Sequence, residues 1–157
     1  MRKTIERFYA LLERAASSLQ SPFLLAVRLY WGWQFHHSGT GKLHNLDHVT
    51  AFFTQLGIPA PGVNAVFIAV LESVGGLLLA LGLGSRVIAL LLAGDMFVAF
   101  LTADRAALFS VFSDPGKLYA SDPYTFLFAS LLILIFGPGK LALDTLLFKR
   151  PAARPTT

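Results

Sequence analysis

The sequence predicts an all-α membrane protein, a four-helix transmembrane bundle with an N-terminal amphipathic interfacial helix. Hydrophobic residues make up 55% of the 157-residue chain and charged residues only 14%, against about 25% charged residues in soluble domains. The apolar residues also fall into four runs that glycine, proline and charged residues separate. Because so few charged side chains cannot give four helices a water-facing surface, we expect lipid to surround much of the chain.

The first predicted element is an interfacial helix over residues 1–19, in which apolar side chains recur at helical spacing among charged ones. A plain helical lead-in to the next segment is the alternative. Four spans are then predicted, followed by a flexible tail, so that residues 1–157 form a single transmembrane domain. The spans lie at about residues 20–37, 63–83, 87–103 and 123–137, and the tail at 149–157.

Each span is predicted from its own pattern of residues. The first contains Arg28 and ends in a group of aromatic residues, which is typical of a membrane interface. The second, with Glu72 as its one charge, is long enough to cross the hydrocarbon core at 1.5 Å per residue. The third contains Asp95, and the fourth begins at Pro123 and ends before Gly137.

The distribution of basic residues predicts the orientation of the chain. With four crossings, nine of the 13 lysine and arginine residues share one side with both termini, three lie opposite, and one is within a span. The positive-inside rule therefore predicts a multi-pass membrane protein with both termini cytoplasmic. Because the basic residues gather at segment ends and not on one folded surface, nucleic acid is not an expected partner.

The charged residues inside the spans are the candidate working parts. Arg28, Glu72 and Asp95 each lie about 13 Å from the outer end of their own span. A charge at the bilayer centre costs about 2.5 to 3.5 kcal/mol, so we expect the three to meet inside the bundle. One of the two carboxyls, Glu72 or Asp95, would then be protonated and able to act as a catalytic acid. The alternative is a structural clasp that sets the helix register.

Small and polar residues near this cluster predict a ligand pocket. Arg28, Gly32 and His36 share one helix face and would line a path from the outer surface. Gly75 and Gly76 follow Glu72 and would admit either a flat ligand or a neighbouring helix. These five residues are the ligand-binding candidates that the spacing supplies.

All four histidines fall within one 13-residue window, from His36 to His48. His44 and His48 have the spacing that lets two imidazoles meet one metal on a helix, but no third ligand is assured, so a polar interfacial loop is preferred to a metal site. The chain has no cysteine, which excludes disulfides and thiol redox chemistry of its own. A redox role would need a cofactor or a partner.

The order of short motifs along residues 23–147 resembles the DoxX family of small bacterial membrane proteins. The motifs are Arg28-Leu29 to Gly32, Gly41-Lys42-Leu43, Leu56 to Pro61, Glu72 to Leu79, Gly82-Leu83 with Arg86, and Gly137 to Asp144. The resemblance implies a four-helix bundle in the bacterial cytoplasmic (inner) membrane. It also implies relatives that are linked to quinone-dependent oxidation of reduced sulfur and to oxidoreductase complexes that resist oxidative stress. By position, Arg28, Lys42, Glu72 and Arg86 look like the family's recurring polar residues, so Lys42 joins the ligand-binding candidates.

The leading hypothesis is an integral membrane subunit of a quinone-linked oxidoreductase system, which binds a quinone or similar flat ligand near Arg28, Glu72 and Asp95. The membrane would supply the quinone, and no complete catalytic motif decides whether the chain is itself an enzyme. The alternatives are a non-enzymatic membrane scaffold and, third, a proton or small-solute carrier. The expected partners are membrane lipid, quinone and a soluble or membrane redox protein, with oligomerisation left open.

Overall fold

The computed structural model describes residues 2–147, with the side chains of residues 4–147, and this part of the chain is helical without strands. The all-α prediction is therefore confirmed. The tail predicted at 149–157 lies outside the described residues. In order, the helices are α1 (Arg2–His44), α2 (Leu46–Gln55), α3 (Pro61–Leu81), α4 (Ser85–Thr102), α5 (Arg105–Phe109), α6 (Pro115–Ala120), α7 (Asp122–Phe136) and α8 (Leu143–Leu147).

Helix α1 differs from its prediction because it runs unbroken for 43 residues with Pro22 inside it. The interfacial helix expected at 1–19 and the span expected at 20–37 are therefore parts of one helix, which agrees with the alternative of a helical lead-in. Pro22 and the change from charged to apolar residues had indicated a boundary, but a helix can continue past a proline at the loss of one hydrogen bond. All side chains from residue 4 to residue 20 are exposed, and the first buried one is Leu24.

Two helices of the described chain, α3 and α4, are long and apolar enough to cross a membrane. Their bounds lie within two residues of the spans expected at 63–83 and 87–103. The apolar helix α7 has 15 residues and agrees with the predicted start and end to within one residue. The turn between α3 and α4 depends on Gly82 and Gly84, whose φ angles of 74° and 61° favour glycine.

The four long helices pack around one core. Helix α1 lies antiparallel along α3, α4 pairs with α7, and further contacts between α3 and α4 and between α1 and α7 complete the ring. Phe35, Leu79, Leu92 and Ile133 are fully buried in the centre, where the ring of Phe35 meets that of Phe126 edge to face at 4.6 Å. Large apolar side chains on the outer faces of α3 and α4 remain exposed, as lipid contact requires.

Glycines allow α1 and α3 to touch backbone to backbone. A Cβ placed on Gly32 would lie 2.7 Å from the Gly76 carbonyl oxygen, and one placed on Gly76 would lie 2.5 Å from the His36 nitrogen. A Cβ on Gly39 would collide with the Ser73 backbone. Real Cβ atoms do not approach so closely, so these glycines set both the distance and the register of the two helices.

The segment after α7 returns across the end of the bundle at which α3 passes into α4. Gly137 and Gly139, with φ angles of 79° and 80°, turn the chain, and the Asp144 backbone N–H donates to the Gly82 carbonyl at 2.9 Å. Helix α8 is thereby held against the α3–α4 turn.

Candidate functional site

A cavity of about 580 Å³ lies between α2, α3 and α4, near the end of the bundle where α1 passes into α2. Its walls are largely apolar and include Phe52 and Phe53 from α2, Phe67 and Leu71 from α3, and Leu91, Met96 and Ala99 from α4. Its ionisable lining residues are three: Lys42, Glu72 and Asp95. A mainly apolar cavity with a few convergent polar groups is typical of a small-molecule site.

Glu72 is the buried centre of this polar cluster, with only 1% of its surface exposed. Its Oε2 atom accepts hydrogen bonds from the Ser38 hydroxyl at 2.9 Å and from the Lys42 ammonium, which forms a close ion pair with it. Lys42 also donates to the Ser38 oxygen at 3.2 Å. The glutamate is therefore compensated by two donors from α1, as a buried carboxylate requires.

Asp95 brings a second carboxyl to the same place. It lies close enough to Glu72 and Lys42 to interact with both electrostatically. Its buried Oδ2 atom has no hydrogen-bond partner among the described residues. One lysine therefore faces two carboxyls, so the predicted imbalance of two acids and one base is present, with Lys42 as the base in place of Arg28.

The predicted cluster of Arg28 with Glu72 and Asp95 is wrong. Arg28 is fully buried at the other end of α3, where its Nη2 donates to the Leu141 carbonyl at 2.5 Å and its guanidinium lies against Gly82. Ten residues of α3 separate Glu72 from Gly82, which is about 15 Å along the helix. The depth argument failed because it ended the first span at residue 37, whereas α1 continues to His44.

The face of α1 that was expected to line a ligand path packs against α3 instead. Gly32 touches Gly76, and the His36 ring bonds through Nδ1 to the Ser73 carbonyl at 3.0 Å. Gly75 faces the other way, where a Cβ would lie 3.4 Å from the Ile88 side chain of α4. The pocket predicted on this face is therefore wrong because two helices occupy the space. These glycines serve helix packing.

The histidine-rich segment is helical and not the loop that was expected. Helix α1 ends at His44 and the chain turns at Asn45, so His44 and His48 lie on different helices. The His44 Nδ1 is bonded to the Thr40 carbonyl at 2.7 Å. Among the described residues, no group of three or more histidine, aspartate and glutamate side chains could hold a metal.

Arg28 belongs to a second charged group, which joins α1, the α3–α4 turn and α8 and is here called the arginine clasp: Arg28, Gly82, Leu141 and Asp144. The Asp144 carboxylate accepts from the Gly84 and Ser85 backbone N–H groups at 2.7 and 2.8 Å. Arg28 is within reach of its charge, although the buried Nε and Nη1 atoms have no hydrogen-bond partner among the described residues.

The pKa of Asp144 reflects this environment. Burial alone would raise the pKa of the carboxyl, but hydrogen bonds from Ser85 and Gly84 outweigh it, and the Arg28 charge acts in the same direction. The pKa of Asp144 therefore lies below its ordinary value. Neither Asp144 nor Ser38 was a site candidate from sequence, although the spacing of Ser38 and Lys42 by four residues on a helix was a usable signal.

The fold and the site define this chain as an all-helical membrane protein with an ionisable cluster in an apolar cavity. A family model described as DoxX matches residues 23–105. The chain is 30% identical over 125 residues to "Putative oxidoreductase CatD" of Bacillus subtilis (strain 168), covering 80% of this chain and 87% of that one. The chain therefore belongs to the DoxX family, as the order of its motifs indicated.

A second relative is "Uncharacterized membrane protein Rv3486" of Mycobacterium tuberculosis (strain ATCC 25618 / H37Rv). It is 32% identical over 139 residues, covering 84% of this chain and 85% of that one. The matches to both relatives extend well beyond the family-model region. No solved structure matches the chain significantly.

Proposed function

We propose that the chain is an integral membrane subunit of a quinone-linked oxidoreductase system, and that the cavity between α2, α3 and α4 holds the quinone ring. One observation supports this most directly: an apolar cavity of about 580 Å³ is bordered by Lys42, Glu72 and Asp95, contributed by three different helices. Its volume is within the range of small-molecule sites, about 300 to 1,000 Å³. A relative named as an oxidoreductase adds to the support.

The cluster has the groups that a quinone carbonyl requires. Lys42 uses two of its three ammonium hydrogens on Glu72 and Ser38, and the third can bond to a carbonyl oxygen of the ligand. Reduction to a quinol adds two electrons and two protons to the ring oxygens. Glu72 and Asp95 would exchange the protons, and a redox partner protein would deliver or accept the electrons.

We also propose that α1, α3, α4 and α7 all cross the bacterial cytoplasmic membrane, with both termini on the cytoplasmic side. Helices α3 and α4 have the required length and hydropathy. Helix α7 is apolar and packs beside α4, and the part of α1 from Leu24 onwards packs along α3. The excess of basic residues near the termini supports the orientation.

The test is a titration of the purified protein with a short-chain quinone. Tryptophan fluorescence and the melting temperature measure the binding. Gly94 lines the cavity, and a Cβ there would meet nothing within 4 Å. A leucine in its place should therefore fill the cavity without disturbing the helices. Gly41 has equally open surroundings and does not line the cavity, so Gly41→Leu is the matched control.

We expect saturable quinone binding in the native protein and in Gly41→Leu, and at least tenfold weaker binding in Gly94→Leu. The absence of binding in the native protein, or equal binding in all three proteins, would overturn the proposal. The two variants are comparable because each places a leucine within an α-helix.

The scaffold hypothesis has its own supporting observation. All side chains from residue 4 to residue 20 are exposed, and Ile5, Phe8 and Leu12 place 52 to 67% exposed apolar surfaces on one face of α1. A partner helix could cover this face. Recovery of a stoichiometric partner from native membranes, and its loss from the Phe8→Ser/Leu12→Ser variant, would favour a scaffold role. The carrier hypothesis is weaker because Phe35, Leu79 and Leu92 fill the core between the two charged ends.

A further inference from the structure

A second cavity, of about 650 Å³, lies at the opposite end of the bundle from the proposed quinone site. Helix α1, the start of α4 and the segment between α7 and α8 enclose it. Two basic side chains, Arg86 and Lys140, contribute to its lining, together with Ser21 and two apolar residues, Val87 and Phe136. The proposed quinone function uses none of these residues.

The basic residues of this cavity are not neutralised. Within residues 4–147, neither Arg86 nor Lys140 forms an ion pair with a carboxylate. The guanidinium of Arg86 makes one long hydrogen bond, from Nη2 to the Ile135 carbonyl at 3.4 Å. It lies beside Gly137, where a Cβ would come within 3.2 Å of Nη2. The positive charge of both residues is therefore available to an external anion.

Asp144, the one carboxylate that the described residues contribute to the lining, forms no ion pair with Arg86 or Lys140. Its two oxygens accept from the backbone N–H groups of Gly84 and Ser85 and are held at the start of α4. Ser21 adds a donor, because its oxygen accepts from the Lys140 N–H at 3.2 Å and its own hydrogen is left for another acceptor. Two cations and a hydroxyl suit a phosphate group.

The apolar part of the cavity indicates where that phosphate comes from. Val87 and Phe136 are 65% and 57% exposed, and Leu90 and Ile135 continue the same apolar surface along α4 and α7 at 57% and 64%. An inorganic anion would gain nothing from this surface, whereas an acyl chain would. The cavity also lies where the apolar helix α4 begins, which is the level expected for lipid headgroups.

We propose that this cavity binds an anionic phospholipid, with its phosphate between Arg86 and Lys140 and an acyl chain along Val87 and Phe136. The lipid would bridge α1, α4 and the α7–α8 segment, which otherwise meet at a cavity. The site is independent of the quinone cavity, so either proposal can fail without the other.

The test measures lipid binding to the full chain purified in a neutral detergent, by native mass spectrometry and by the shift in melting temperature. The probes are dioleoylphosphatidylglycerol, dioleoylphosphatidylcholine and inorganic phosphate. The variant is Arg86→Gln/Lys140→Gln. The matched control is Arg105→Gln/Lys117→Gln, which removes the same charge from exposed residues outside this cavity. The Lys140→Gln single variant serves if the double variant unfolds.

We expect phosphatidylglycerol to bind more tightly than phosphatidylcholine, and the double variant to bind it about thirtyfold less tightly, at about 1 kcal/mol for each basic residue. The Lys140→Gln variant should lose about fivefold. The control should bind like the native chain. Equal binding of both lipids, an equal loss in the control, or a matching shift with inorganic phosphate alone would overturn the assignment to a phospholipid.

Discussion

The two buried charged groups of this protein, the cavity cluster of Lys42, Glu72 and Asp95 and the arginine clasp, have similar parts and different surroundings. Each pairs a basic residue of α1 with groups from other helices, and each leaves buried polar atoms without a hydrogen-bond partner among the described residues. Only the cluster borders the 580 Å³ cavity, whereas Arg28 lines neither of the two cavities described above.

The two groups differ in what surrounds their unpaired polar atoms. In the clasp, the Leu141 carbonyl before α8 accepts from Arg28, and the Gly84 and Ser85 N–H groups at the start of α4 donate to Asp144. In the cluster, one lysine serves two carboxyls beside an apolar space. A buried charge in a membrane helix therefore marks either assembly or function, and for Arg28 and Glu72 the presence or absence of an adjoining cavity distinguishes the two.

The largest expected effect is on the clasp. Replacing Arg28 by methionine leaves the Leu141 carbonyl unpaired and Asp144 without its cation, so we expect the free energy of unfolding to fall by about 3 kcal/mol. Denaturant unfolding in detergent measures this, with Arg7→Met on the exposed part of α1 as the control. Quinone affinity of the folded fraction should stay unchanged. Equal stability of both variants would show that the clasp has no structural role.

The next effect concerns the register that brings α1 to Glu72. A Cβ at Gly39 would collide with the Ser73 backbone, whereas one at Gly41, two residues further on, would meet nothing within 4 Å. We expect Gly39→Ala to destabilise the protein by about 2 kcal/mol. Gly41→Ala should stabilise it by up to about 1 kcal/mol. Melting temperatures of the pair check this, and a Gly39→Ala protein as stable as Gly41→Ala would disprove the close helix contact.

The cluster should respond in the opposite way to the clasp, with binding affected more than folding. Asparagine keeps the size and one side-chain oxygen of Asp95, and the buried Oδ2 atom that it replaces has no hydrogen-bond partner in the described structure, so Asp95→Asn should change the free energy of unfolding by no more than about 1 kcal/mol. We expect quinone affinity to fall about tenfold, or about 1.4 kcal/mol. Asp47→Asn, an exposed carboxyl on α2, is the control. A large loss of stability with unchanged affinity would place Asp95 among the structural residues.

The smallest expected effect is the pH dependence of the clasp. The pKa of Asp144 is lower in the folded protein than in the unfolded chain, where it is about 3.9. Its contribution to stability is therefore complete above that unfolded pKa and is lost as the pH falls through the folded value. At neutral pH the free energy of unfolding of the native chain should exceed that of Asp144→Asn by about 1 kcal/mol. The two should converge as the pH falls below the folded pKa of Asp144. A difference that is independent of pH would contradict the role of the carboxylate.

The positions of α3, α4 and α7 could be predicted because each is one apolar run bounded by glycine, proline or a charge. The bounds of helix α1 could not be predicted, because Pro22 is compatible with either a boundary or a continuous helix. That error displaced Arg28 towards Glu72 and away from Gly82. It also hid Ser38, which a span ending at residue 37 excludes.

The composition and the apolar runs alone determined an all-helical membrane protein and the residues with buried charge, since burial in lipid restricts both backbone and composition. The order of the short motifs indicated its family. Tertiary structure alone decided which charges meet. The Gly32–Gly76 and Gly39–Ser73 contacts set the register of α1 on α3, and that register pairs Glu72 with Lys42 while it sends Arg28 to the clasp. Such pairing depends on contacts between residues 30 or more positions apart, which local sequence patterns do not contain.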